Sequence, residues 1–359
     1  MDICIIGDGL TSLSLAKNLI NKKINVHFYH KNKIINSGSS RTIGISKNNL
    51  DFFRKEIHPI SMKSFWRIKK IEIYSEKFNK ENLLKFENFK DNLFYIIKND
   101  HLYKLLLDQL SKNKLFKKKF IKENSFYMNL IKKKYDLIIN CDSNNLFSKK
   151  YFAKKIDKKY YNYAYTTIIK HKKIQNDIAT QIFTKYGPIA FLPISNSETS
   201  IVCSLNIKNK RFKDSEVLDL INKNNKKYQI QKMLKLSMFN LSSSNLRNYF
   251  HQNILAFGDL LHRIHPLAGQ GFNMTIRDIK VLSEIIQKKI ELGMQLDNTI
   301  LSDFENKTKN KNFLFSKSVD FIYEVFNFDK EIKNKKFNKI LKIVGRNTKI
   351  NNYFIKIAD

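Results

Sequence analysis

Glycine and proline are scarce in this chain of 359 residues, at ten and four. That shortage excludes collagen-like repeats and Gly/Pro-rich linkers. Cysteine is scarcer still: Cys4, Cys141 and Cys203 lie far apart, each in an apolar run. Such a set offers neither a disulfide framework nor a C-x-x-C metal spacing, so free thiols and no metal site are expected. No apolar run approaches the ~18 residues needed to cross a bilayer. The chain opens directly on a strand-like run, Ile3-Cys-Ile-Ile6, without a charged leader or cleavage site. A cytoplasmic protein is expected, at most peripheral at the inner face of the membrane. Arginine is short too, with eight among 66 basic residues, although the formal charge is +34. Readers of phosphate and base edges use arginine in quantity. The lysine excess, beside abundant Asn and Ile, reads as compositional drift over solvated faces, and nucleic acid is not an expected partner.

What glycine there is gathers in one place. Gly258, Gly269, Gly271 and Pro266 fall within fourteen positions of the stretch Ile254-Leu-Ala-Phe-Gly-Asp-Leu-Leu-His-Arg-Ile-His-Pro-Leu-Ala-Gly-Gln-Gly-Phe-Asn-Met274. A strand (Ile254 to Phe257) feeds a Gly-rich loop that opens onto a helix, whose amide end attracts anions and electron-rich rings. Spacing alone leaves this either a structural loop or a ligand seat.

The amino-terminal thirty residues read as a βαβ unit. Ile3 to Ile6 is a buried strand, Leu13, Ala16, Leu19 and Ile20 mark a helix, and Val26-His-Phe-Tyr29 is a second strand. Between them stands Gly7-Asp-Gly9-Leu-Thr11-Ser12, one step from the dinucleotide fingerprint G-x-G-x-x-G. Gly7 permits the tight turn and Gly9 lets a pyrophosphate approach. Ser12 replaces the third glycine, and His30 stands where an acid normally holds the ribose hydroxyls.

Further on, 67–78 alternates as an exposed strand, Phe94–Ile97 is a strand leading into a helix (Leu102, Leu105, Leu106, Leu110), and Lys112–Lys122 reads as a solvated connection. Asp136–Cys141 is a buried strand. Tyr163–Lys170, Ala179–Thr184, Ile189–Pro193 and Ser200–Leu205 form an antiparallel sheet, with a turn at Gly187-Pro188 and a helix over roughly 214–236. After the Gly-rich loop, Ile276, Ile279, Leu282, Ile286 and Ile290 line a helix that Gly293 stops. Basic amphipathic helices follow at 337–345 and 350–357, packing on the core or, as the minority reading, on anionic lipid.

Taken together, Gly7-x-Gly9, Arg41-Thr-x-x-x-Ser46, Gly187-Pro-Ile-Ala-Phe-Leu-Pro193 and Gly258-Asp259…His265-Pro-Leu-Ala-Gly-Gln-Gly-Phe-Asn273…Arg277-Asp278 resemble the flavin-dependent aromatic hydroxylases. Within that family the chain looks most like the ubiquinone-biosynthesis hydroxylases, relatives of 4-hydroxybenzoate hydroxylase. The resemblance covers roughly residues 1–300. It implies an α/β fold: a Rossmann-like FAD-binding domain (1–60, 90–150, 250–300) interleaved with a mainly antiparallel-sheet substrate domain (61–89, 155–249), plus a C-terminal helical region (301–359). It implies FAD, with Gly7, Gly9, Thr11 and Arg41 toward the pyrophosphate and His30 at the ribose. Gly258 and Asp259 would meet the ribityl chain, and Pro266, Gly269, Gly271, Phe272 and Asn273 the isoalloxazine. The implied reaction places one atom of O2 on an electron-rich, prenylated phenol, with NAD(P)H as the family's electron donor. Other ubiquinone-biosynthesis proteins and a peripheral membrane contact are the further partners it implies. Ser12, His30, Asp100 and Ser143 depart from the family pattern, which keeps a non-catalytic or weakly flavinated member, acting as a subunit of a biosynthetic complex, as the alternative. His262 and His265 lie in the right loop, but no catalytic base is assigned.

Overall fold

The Ile-rich run Asp2–Ile6 is buried along nearly its whole length, as a central parallel strand requires. In the computed structural model, which describes residues 1–31, 41–76, 82–87, 92–121, 125–133, 135–207, 212–265 and 269–328, this strand pairs in parallel with Asn25–His30 on one side and Leu137–Asn140 on the other. Phe116–Phe120 extends the sheet beyond Asn25–His30, and Ile254–Ala256 extends it beyond Leu137–Asn140, both in parallel. Phe250–His251 closes that side antiparallel, giving six strands. The helix Leu10–Asn21 crosses over between the first two strands and packs against the helices Asn99–Ser111 and Gly271–Glu291. Isoleucine, leucine and phenylalanine from all of these segments form one continuous core.

A second, nine-stranded sheet is built around the long strand Lys155–His171, which pairs antiparallel with Glu198–Asn206 and Ser237–Leu246. Its register shifts between Lys159 and Asn162, where Tyr161 takes a positive φ of 53°. One face carries the helix Asp214–Asn224 through Val217, Leu220 and Ile221. The other carries the helix Asn298–Phe328, whose Phe315, Val319 and Tyr323 meet Tyr160, Ala164 and Leu241. Thr42–Ser46, Phe94–Lys98 and Trp66–Ile68 form a small third sheet. The Thr42 hydroxyl donates to Ser200 at 3.0 Å and so ties the third sheet to the second.

Several expected elements differ. The connection Lys112–Lys122 contains the strand Phe116–Phe120, whose exposed lysines belong to an outer strand of the parallel sheet. The single strand expected over 67–78 is two, Trp66–Ile68 and Lys70–Ser75, in different sheets. Between them the Lys69 amide is drawn to the Asp177 carbonyl at 2.9 Å. The helix expected to 236 ends at Asn224, and Ile230–Met233 is a strand on Lys155–His171. The helices expected at 337–345 and 350–357 lie outside the described residues. The thiols of Cys4, Cys141 and Cys203 are free.

Gly187 shows how tightly the second sheet is closed. It has φ +138°, and a Cβ there would stand 2.0 Å from the Ser204 carbonyl oxygen. Gly187→Ala is expected to destabilise the protein by about 2–4 kcal/mol in urea titration. Gly9→Ala, where nothing lies within 4 Å of the added atom, is expected to cost less, about 0.5–1 kcal/mol, because Gly9 is the N-cap of the helix Leu10–Asn21 and alanine is a poorer cap.

Candidate functional site

Three neighbouring parallel strands of the first sheet end together, at Ile6, Asn140 and Ala256. In open α/β sheets the crevice beyond the carboxyl ends of the strands is the ligand site. Gly7 follows the first strand at φ +130°, and its amide donates to the Tyr29 carbonyl at 2.9 Å. An added Cβ at Gly7 would lie 3.0 Å from Ser12 Oγ and 3.1 Å from Cys141 Cβ, so the turn is packed closely against the end of the neighbouring strand. Ser12 is fully buried, small enough to serve where a glycine is usual.

Gly258 begins the short 3-10 turn Gly258–Leu260 after the third of these strands. It has φ +63°, and a Cβ there would meet Thr11 Cγ2 at 2.6 Å. The two glycine turns, 250 residues apart in sequence, therefore interlock. Asp259 is exposed on the same turn. Burial pushes the Cys141 thiol up to about 12, and the charges of Asp259 and Asp142 add to that rise. These acids thus stand around the strand ends. His30 ends the next strand over, beside the Gly7 turn.

A second group forms where the helix Gly271–Glu291 starts. Gly269 has φ +66°, and a Cβ on it would lie 3.7 Å from the Gly44 amide nitrogen. Asn273 is fully buried: its carbonyl accepts from the Ser46 amide at 3.0 Å and Asn49 Nδ2 at 3.2 Å, and its own amide donates to the Gly44 carbonyl at 3.1 Å. Its hydrogen bonds thus hold the strand Thr42–Ser46 against the helix start. Phe272 turns toward Phe53, with ring centroids 6.4 Å apart. The Arg41 guanidinium lies 5.1 Å from the Phe239 ring centroid in the second sheet. Pro266 lies outside the described residues. Gly44, Ser46 and Asn49 are contacts that the sequence did not single out as a set. The Arg41-Thr-x-x-x-Ser46 motif was the signal nearest to them.

The loop histidines differ in character. His262 Nε2 meets the Asp278 carboxylate at 2.5 Å, both groups are buried, and Asn312 donates to the other carboxylate oxygen at 3.0 Å. This network pins the loop to both long helices. His265 is fully buried with neither ring nitrogen hydrogen-bonded among the described residues. Its ring stacks on Tyr323 at 4.3 Å and meets the edge of Tyr160 at 5.0 Å. Burial pushes its pKa from 6.5 down to about 3.

The residues suit an elongated anionic nucleotide. The helices Leu10–Asn21 and Gly271–Glu291 both begin without a side-chain cap or an acid in the first turn, leaving amides free for anionic groups. Open space stands where a Cβ would project from Gly9 and Gly271. Gln270 Oε1, buried at the start of the second helix, has no hydrogen-bond partner among the described residues. Ile189 and Phe191 point into the cluster beneath the helix Asp214–Asn224, while Leu192 faces Ile68 and Ile96.

Two measurements probe this frame. His265 stays neutral in the folded state, while the unfolded chain gains its proton near 6.5. Its contribution to stability is complete above that pH and is lost as pH falls toward about 3. Acid titration of unfolding is expected to show this loss, and His265→Gln to flatten it. Asn273→Ala leaves the Ser46 amide and Gly44 carbonyl without that partner, an expected cost of about 2–4 kcal/mol in thermal or urea unfolding.

The chain is similar to known proteins in sequence and in fold. The family model described as FAD binding domain matches residues 160–293. The chain is 27% identical over 183 residues to the mitochondrial ubiquinone biosynthesis monooxygenase COQ6 of Dictyostelium discoideum, covering 41% of this chain and 37% of that protein. It is 26% identical over 184 residues to 3-demethoxyubiquinol 3-hydroxylase of Escherichia coli, covering 46% and 45%. The matches thus span less than half the length of these two relatives. Among solved structures, p-nitrophenol 4-monooxygenase PnpA of Pseudomonas putida superposes with a TM-score of 0.76 at 11% identity, covering 99% of this chain and 96% of that one. A Klebsiella pneumoniae HpxO variant complexed with FAD gives 0.74 at 14%, covering 100% and 98%. The chain has the fold of the FAD-dependent aromatic monooxygenases, and by sequence it is similar to their ubiquinone-biosynthesis members.

Proposed function

We propose that the chain is an FAD-dependent monooxygenase that hydroxylates an aromatic ring, with a prenylated phenol of ubiquinone biosynthesis as its substrate. The interlock of Gly258 with Thr11 carries this reading, because it joins the two halves of a dinucleotide crevice at the ends of three parallel strands. Gly7 and Gly9 let the pyrophosphate reach the amides that open the helix Leu10–Asn21, with Arg41 as a further cationic contact. Asp259, exposed on its turn, would accept hydrogen bonds from the ribityl hydroxyls. The uncapped amides at Gly271–Asn273 would favour the negative charge that a flavin ring gathers on reduction.

When bound, the flavin would supply the oxygen chemistry: one atom of O2 goes onto the ring and the other leaves as water, with NAD(P)H giving the two electrons. The protein's share is placement and dryness. Asn273 fixes the strand Thr42–Ser46 against the helix start, and the His262–Asp278–Asn312 network holds the loop in register. Phe183, Leu241, Met274 and Phe315 pack into a buried apolar cluster between the second sheet and the helices, which holds the sheet against the helix start. Among the described residues no helix is long and apolar enough to cross a membrane. A substrate drawn from lipid would require peripheral contact there.

Flavin content of the purified chain tests the reading. Visible flavin absorbance, retained or restored by added FAD, is expected. Its absence after reconstitution would favour the non-catalytic subunit. Asp259→Ala is expected to weaken FAD binding by about 10–100-fold. Gly258→Ala is expected to weaken it as well, and Thr11→Ser, which removes the obstructing methyl, to restore part of that loss.

A further inference from the structure

The carboxyl end of the strand Asn25–His30 is where a nucleotide-binding βαβ unit meets the adenosine ribose. An acid there grips the ribose hydroxyls, whereas a cation accommodates a ribose phosphate. The geometry of this strand end is intact. The Gly7 amide donates to the Tyr29 carbonyl and the Ile121 amide to the His30 carbonyl, each at 2.9 Å, so His30 stands between the glycine turn and the strand Phe116–Phe120.

The charges there are reversed. His30 ends the strand, and Lys31 follows with its ammonium 5.3 Å from the Tyr127 ring centroid. Lys119, in register with Tyr29, places its ammonium 5.9 Å from that ring. From His30 to Arg41 the sequence contains no Asp or Glu. Among the described residues the acids near this end are Asp8, in the turn and engaged in an interaction, and Asp142; Glu123, two residues beyond Ile121 in sequence, lies outside the described residues. Asp142 accepts from the Asn144 amide at 2.8 Å, and with burial as the larger cause its charge pushes the Tyr127 hydroxyl up. Lysine is abundant over the whole surface, so position matters more than number. Here cations occupy the one strand end that meets the ribose.

Resting on the dinucleotide reading above, we infer that the adenosine end of this site prefers an adenine nucleotide carrying a phosphate on its ribose, held by Lys31 and His30, to one with a free ribose diol. FAD binds there without a carboxylate clamp, and ribose-phosphorylated nucleotides compete with it. The added phosphate is a 2′-phosphate, as in NADP-type nucleotides, or a 3′-phosphate, as in coenzyme-A-type ones.

Calorimetric titration of the full chain with 5′-AMP, 2′,5′-ADP and 3′,5′-ADP at physiological ionic strength tests this and identifies the position. One bisphosphate is expected to bind about tenfold or more tighter than 5′-AMP, the scale of a new charge-assisted contact, and to displace FAD. Lys31 is exposed, so Lys31→Glu leaves folding undisturbed. It and His30→Asp are expected to abolish the preference, with His30→Asp tightening FAD. Equal binding of all three nucleotides by the native chain overturns the inference and leaves the dinucleotide site standing. A preference that survives in both variants marks general attraction to a lysine-rich surface, and overturns it too. Failure of all three nucleotides and of FAD to bind overturns the site reading together with it.

Discussion

The contact between Gly258 and Thr11 is the constraint on which the rest of the site depends. A residue with any side chain at 258 would collide with the first turn of the helix Leu10–Asn21, and its φ of +63° belongs to glycine in any case. Because the turn after Ile254–Ala256 nests there, Asp259 comes to the same crevice as Gly7 and Gly9. The loop beyond it is pinned a second time through His262, Asp278 and Asn312. That network is a buried His–Asp hydrogen bond whose second carboxylate oxygen accepts from Asn312, and with its partners satisfied it fixes the geometry of the loop.

Much of this was legible in the sequence, for identifiable reasons. The runs Ile3–Ile6 and Val26–Tyr29 are short, apolar and separated by a helical period, so the βαβ unit declares itself. The helix Gly271–Glu291 keeps a strict apolar face, with Ile276, Ile279, Leu282 and Ile286 all buried. Phe116–Phe120 hid because only Phe116 is buried; an outer strand needs backbone pairing, not apolar side chains. Ser237–Leu246 hid behind its four serines, although it pairs with Lys155–His171 from Lys155 to Thr166. The Asn273 anchorage was illegible because its partners lie more than 220 residues away, and no local pattern reports a contact of that range.

The lysine-rich composition is likewise better understood through placement. Most described lysines are exposed, and their ion pairs are mainly partly exposed, such as Lys98–Glu198 and Lys309–Glu305. Pairs of that kind contribute little to stability. The interior is conventional: aliphatic and aromatic, with buried amides that are mostly paired. Drift of the surface and retention of the core are therefore compatible within one chain.

The order of strands in the parallel sheet also bears on how the protein comes into being. Leu137–Asn140, buried along its whole length, receives its outer neighbour Ile254–Ala256 only after more than a hundred further residues have been made. Until then one flank of an apolar strand has unpaired amides and carbonyls, and the long strand of the second sheet is emerging beside it. During synthesis that flank is therefore an open strand edge, the kind of edge that favours pairing with other chains. A dense coat of like charge on the nascent surface is one physical means of keeping such chains apart.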